Sequence, residues 1–178
     1  MNKEGSFKPI AIILLISMVI AFAWDSLTFL KNFVHSLLDP SLGAILQWNM
    51  TLGMLIIILI ITIITTLVQK YTTDQKTLKE LKDQQKEINK KAKELQHDPQ
   101  KMLDVQKEMG PITIKMLKLN ARSMAYTAIP IILTFRWFND YFESAGGPVF
   151  FGFMGWFIFY LLFAIIFGAL LKKVLKVV

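Results

Sequence analysis

Four apolar runs punctuate the chain, and one long charged segment separates the second from the third. Residues 49–69 pass through 21 positions without a charge and are rich in Ile and Leu. Residues 149–171 do the same over 23 positions. Each is long enough, as a helix, to cross a hydrocarbon core of about 30 Å. Residues 123–137 are shorter and contain Pro130 and Arg136, so they predict a span where the bilayer is thin or the helix ends are wet. Residues 10–24 are also short, with Lys3 and Lys8 before them and Asp25 after. Basic residues, an apolar run and then Ala21-Phe22-Ala23 also match the three parts of a cleavable signal peptide. The reading carried forward for 1–25 is a retained signal-anchor helix.

Residues 26–38 have a different pattern. Leu27, Leu30, Phe33, Val34, Leu37 and Leu38 share one helical face, with Lys31, Asn32, His35 and Ser36 opposite. This predicts an amphipathic helix lying in the membrane interface. Asp39-Pro40 is expected to end it, and Gly43 to loosen the lead-in to the next span.

Within the charged segment the period becomes that of a helical seam. Leu78, Leu81, Gln85, Ile88, Ala92 and Leu95 alternate spacings of three and four, and Met102, Val105, Met109, Ile112, Met116 and Leu119 repeat the pattern. Between the two sets, Asp98 is a suitable N-cap and Pro99 suits a first helical position. The expectation is an antiparallel helical hairpin over 70–122 whose first arm, about 25 residues, reaches roughly 37 Å. Gln85 and Ala92 weaken the seam, and Gly110-Pro111 is expected to break or bend the return arm. The alternative, a solvated connector, needs far fewer residues than this.

Composition and charge place these elements. The 178 residues are 54% hydrophobic with net charge +7 and no cysteine, which excludes disulfides and thiolate chemistry. Residues 70–122 hold 13 Lys/Arg and 8 Asp/Glu, whereas 139–148 hold no basic residue. Placing 70–122 and both termini in the cytoplasm puts 18 of the 20 basic residues inside. The predicted order is then a first span in 1–25, an external helix and linker in 26–48, and a core span in 49–69. The hairpin of 70–122 follows, then a second core span in 123–138, an external loop in 139–148, and a third core span with a basic tail in 149–178.

Candidate chemistry is sparse. Thr62, Thr65, Thr66 and Gln69 line up on the cytoplasmic half of the first core span; Asn120, Ser123 and Thr127 do so on the second. Facing each other, these stripes would line a partly hydrated groove; otherwise they serve helix packing, since Ser and Thr bond helix backbone. Arg122 and Arg136 bracket the short span, Pro130 should kink it, and the third core span reads as scaffold. Met109, Met116 and Met124 suit a surface that accepts varied apolar clients, or simply fill gaps. His35 and His97 fall on opposite sides of the membrane, and no paired carboxylates, metal cluster or phosphate loop occurs, so neither enzyme chemistry nor a cofactor or metal is expected. A small oligomeric cation channel or transporter is an alternative, but the uncharged spans carry no acidic residue.

The order of parts resembles the YidC/Oxa superfamily of membrane protein insertases. It is most similar to the archaeal YidC-like proteins and to the insertase subunit of the endoplasmic reticulum membrane protein complex. "AIPIILTFRWFND" (128–140) looks like the second core span of that branch, and "VQKEM" (105–109) like its return arm. The likeness covers about 47–178. It implies an all-α polytopic membrane protein: a three-span core with a cytoplasmic antiparallel coiled-coil hairpin, plus an N-terminal hydrophobic helix and an interfacial amphipathic helix. It implies a plasma-membrane insertase and chaperone that moves hydrophobic segments and short hydrophilic tails from the cytoplasm into the bilayer through a polar groove. Its partners would be nascent membrane proteins, the lipid bilayer, and the ribosome or other translocation components, with no specific nucleic-acid sequence. One departure stands out: bacterial members carry an arginine in the first core span, where 49–69 has none. Arg122 is the nearest substitute.

Overall fold

The computed structural model describes residues 8–177 other than 96, without the side chains of 8–10, 99 and 122. Lys3 of the expected signal-anchor and the side chain of Arg122 therefore lie outside the described residues. Helices make up nearly all of the rest, and the described residues contain no β-strand. Their order is α1 (Lys8–Phe22), α2 (Thr28–Leu38), a π turn (Asp39–Gly43), α3 (Ala44–Trp48), α4 (Met50–Thr72), α5 (Gln75–Glu94), α6 (Pro99–Lys107), α7 (Met109–Ser144) and α8 (Trp156–Val174).

α4 and α8 are each long and apolar enough to cross a bilayer. Their outward surfaces, with Leu52, Ile60, Ile64, Leu162, Ile165 and Leu170 exposed, form far more apolar area than a protein keeps against water. Both pack along each other, and α7 packs on α4 from another side. α7 is the longest element, 36 residues or about 54 Å. It joins the charged region to the apolar core without interruption and runs through Pro130, whose carbonyl accepts from the Thr134 hydroxyl at 2.8 Å.

The buried core gathers where α4, α7 and α8 meet the segments around Trp24, Leu46 and Phe150. Trp24, Trp137, Phe138 and Phe159 are fully enclosed. Ring contacts join α7 to α8 at this end, including Phe135 against Tyr160 with centroids 4.7 Å apart and Phe138 against Trp156 at 5.8 Å. Such edge-on and tilted pairs add about 1 kcal/mol each beyond the area they bury.

Three sequence expectations are corrected here. The third core helix starts at Trp156, not at 149. Residues 149–155 form a tight turn, with Phe150 bridged to Met154 and Phe151 and Gly152 at φ of 52° and 81°. The loop expected at 139–148 lies instead at 145–155, because α7 continues to Ser144 before Gly146 and Gly147 turn the chain at positive φ. α2 ends at Leu38, as Asp39-Pro40 predicts, but the chain does not leave the helical path there. The backbone widens into a π turn, which accommodates a proline ring that would otherwise clash with the preceding turn, and helix resumes through Trp48.

The third correction concerns the facing of α2. Val34 is buried, but Lys31 and His35 also turn inward while Phe29, Phe33 and Leu37 point out. The reason is Asp140 near the end of α7. Its Oδ2 accepts from the Trp24 indole N–H at 2.7 Å, pairs with Lys31 Nζ at 3.2 Å and lies 3.2 Å from His35 Nε2. Burial raises the Asp140 carboxyl, but the donors Trp24, His35 and Lys31 outweigh it and hold the group below the ordinary carboxylate value. Asp39, 3.2 Å from His35 Nδ1, accepts from the Trp137 indole N–H at 2.7 Å. These contacts clasp α2 and the π turn onto α7, leaving Phe29 and Phe33 of α2 exposed.

Between α3 and α4 the chain turns sharply at Asn49, extended at φ −160° and ψ 114°. Its side chain caps α4, with Oδ1 accepting from the Leu52 N–H at 2.9 Å. Asn49→Ala is expected to destabilise the fold by about 1 kcal/mol, the usual loss for an N-cap, measured as a lowered unfolding temperature in detergent.

At the opposite end, Thr73 and Asp74 separate α4 from α5, and Asp74 caps α5 by accepting from the Lys76 and Thr77 N–H groups. α5 packs against α6 and α7. Leu78, Leu81, Ile88 and Ala92 are buried, and Gln85 is half-buried between them. Asp98 caps α6. The return arm breaks at Glu108, just ahead of the expected Gly110-Pro111, which leaves Pro111 in the first turn of α7 where its missing N–H does no harm.

Candidate functional site

Joined by rings at one end, α7 and α8 diverge toward the other, and α4 forms the floor between them. The space is a wide-mouthed cavity of about 690 Å³. α4 contributes Thr62, Thr65, Thr66 and Gln69; α7 contributes Leu117, Asn120, Ser123, Met124, Thr127 and Ile131. α8 supplies Tyr160, Ala164, Ile165, Gly168, Ala169 and Lys172. From Tyr160 to Lys172 the trough follows α8 for about 18 Å, more than half the thickness of a hydrocarbon core.

Local sequence explains why the space is open and polar. Ala164, Gly168 and Ala169 are too small to fill it, and a Cβ built on Gly168 would still lie 3.9 Å from the nearest atom, Thr62 Cγ2. The threonine hydroxyls bond their own helices: Thr62 donates to the Ile58 carbonyl and Thr66 to that of Thr62, each at 2.6 Å. Thr65 donates to the Ile61 carbonyl and Thr127 to that of Ser123. Back-bonding of this kind satisfies the hydroxyl proton while the oxygen lone pairs still line the cavity. At the mouth, Gln69 Nε2 reaches Asn120 Oδ1 at 3.5 Å, a long contact that spans α4 and α7. The volume would hold on the order of twenty waters at about 30 Å³ each.

The structure thus brings Thr62, Thr65, Thr66, Gln69, Asn120, Ser123 and Thr127 to one cavity, and the four threonines among them also bond helix backbone. Arg122 has helical backbone between them, with its side chain outside the described residues. Of the three methionines, Met124 lines the cavity, whereas Met109 and Met116 lie half-buried at seam positions of α7, away from its lining. The reading of the third core helix as scaffold is corrected, since α8 forms one wall. Tyr160 and Lys172 were missed. The signal was present in Ala164, Gly168 and Lys172, a stripe of small residues four apart ending in a cation, but Lys172 reads as part of the basic tail. Among the described residues, no group of His, Cys, Asp and Glu side chains is arranged to hold a metal ion.

Neither the curated proteins nor the solved structures contain a match to the chain. A family model described as integral membrane protein EMC3/TMCO1-like matches residues 35–166, from His35 in the clasp to the middle of α8, short of the cavity residues Gly168, Ala169 and Lys172. α1 and most of α2 precede that match. An all-helical core with two helices fit to cross a bilayer, matched over most of its length, identifies the chain as a member of the EMC3/TMCO1-like family of integral membrane proteins, which is related to the YidC/Oxa insertases.

Proposed function

We propose that this protein is a membrane protein insertase and chaperone of the plasma membrane that acts without covalent chemistry. The observation that carries the reading is the trough of Thr62, Thr65, Thr66, Gln69, Asn120, Ser123 and Thr127, which follows α8 for about 18 Å and then stops at the ring cluster. A hydrophilic flank crossing hydrocarbon leaves unsatisfied polar groups at several kcal/mol each. Hydroxyls, amides and water along half the path lower that barrier, and the client's apolar segment then partitions into lipid.

In this reading the chain spans the membrane four times, through α1, α4, the apolar part of α7, and α8, with both termini in the cytoplasm. α5, α6 and the start of α7 form a cytoplasmic antiparallel coiled-coil hairpin that meets nascent membrane proteins before the trough does. Met109 and Met116 face clients from the hairpin and Met124 from the trough. The ribosome or other translocation components deliver those clients, and the likeness to archaeal members extends to the uncharged first core span. A cation channel fits less well, because the described lining includes Lys172 and no carboxylate.

Photocrosslinkers at Thr65, Ser123 and Met116 test the proposal. Ribosome-bound nascent membrane proteins are expected to be trapped at all three positions and not at Phe29 or Phe33 of α2. Crosslinks confined to α2, or liposomes that conduct ions and insert no client, would overturn it.

A further inference from the structure

Arg136 has no role in the trough or in the clasp. It sits one turn before Asp140 on α7, half-buried, at the end of the apolar stretch of this short span. Its guanidinium carbon lies 5.7 Å from the centre of the Trp24 ring, a cation–π distance. The Trp24 indole N–H donates to Asp140 at 2.7 Å, so the edge of the ring is held and its face supports the arginine. Arg136 Nε is buried without a hydrogen-bond partner.

The nearby carboxylates are engaged elsewhere. Asp140 pairs with Lys31 and His35, Asp39 with His35 and Trp137, and Asp25 with Lys31. Among the described residues Arg136 forms no ion pair. A guanidinium at a membrane boundary without a protein anion retains several donors in a planar fork that matches two oxygens of a phosphate. With α7 spanning a bilayer, the end of its apolar stretch, where Arg136 sits, falls at the level of the lipid headgroups.

We propose that Arg136, held on the face of Trp24, binds the phosphate of a phospholipid headgroup where α1 meets α7. The bound lipid completes a contact that protein atoms leave short of an anion. Trp24 precedes the family-matched residues, so the platform belongs to the N-terminal part of this chain. The inference requires the chain to lie in a membrane but does not depend on insertase activity.

Native mass spectrometry of the full chain in detergent tests it, with phosphatidylglycerol, a galactosyl diacylglycerol of the same acyl chains, or inorganic phosphate added. Phosphatidylglycerol adducts are expected on the unaltered protein, about tenfold weaker on Arg136→Gln, the loss expected for a charge-assisted hydrogen bond. Arg136→Lys should fall between them, since a point charge keeps the attraction and loses the fork. It carries the test if Arg136→Gln does not fold. Equal adducts with the galactolipid, or adducts unchanged in both variants, overturn the proposal. Displacement of the lipid by inorganic phosphate alone also overturns it, by indicating a small-anion site.

Discussion

Gly53→Val is expected to remove the packed corner between α3 and α4, lowering stability by about 3 kcal/mol or more, at the upper end of overpacking effects. A Cβ at this position would stand 2.5 Å from the Ile45 carbonyl oxygen and 3.1 Å from Leu46 Cα. Both are backbone atoms and cannot rotate away. Gly53→Ala separates sterics from helix propensity. Propensity alone favours alanine by about 1 kcal/mol. The clash is expected to win, for a net loss of about 1–2 kcal/mol. Thermal unfolding in detergent micelles, followed by tryptophan fluorescence, reads both variants. An alanine variant as stable as the parent would show that α3 sits further from α4 than described.

Asp140→Ala should have a comparable effect for a different reason. One carboxylate, with its side chain 15% exposed, accepts from Trp24 and pairs with Lys31 and His35. Its removal leaves the Trp24 indole N–H without its acceptor and strips Lys31 and His35 of one partner each, down to Asp25 and Asp39, and the expected loss is about 2–4 kcal/mol. Asp140→Asn should lose less, since one oxygen still accepts from the indole.

The pH dependence of the clasp follows from the shifts of its two ends. Asp140 lies below its ordinary value of 3.8, so its contribution is present above that value and is lost as pH falls through the lower folded one. The hydrogen bond to Asp25, with Asp140 adding to it, raises Lys31 above 10.5, so its contribution holds below 10.5 and fades at still higher pH. The Asp140→Ala variant should therefore differ from the parent between about pH 4 and 10 and converge with it in strong acid. A difference that persists unchanged into strong acid would mean that packing around Trp24, rather than the charge, is what Asp140 supports.

The same residues show where sequence reading stops. Period and charge alone sufficed for α4, for the seam through Leu78, Leu81, Ile88 and Ala92, and for the restart at Asp98-Pro99, because each rests on contacts within a turn or two of one helix. The stripe of Thr62, Thr65, Thr66 and Gln69 was legible for the same reason. α2 was not. Its apolar face follows from the helical period alone, whereas Asp140, more than a hundred residues away, draws Lys31 and His35 inward and leaves Phe29 and Phe33 exposed.

Charge and hydrophobic period along the chain determined that this is a helical membrane protein with a charged helical pair between two long apolar helices. They also marked which polar residues share a face. Only the tertiary structure decided that α8 supplies a wall of the cavity through Gly168 and Lys172, that Gly53 must be glycine, and that Asp140 holds α2. Each of these depends on two surfaces far apart in sequence meeting at a few ångströms, and no local period records that distance.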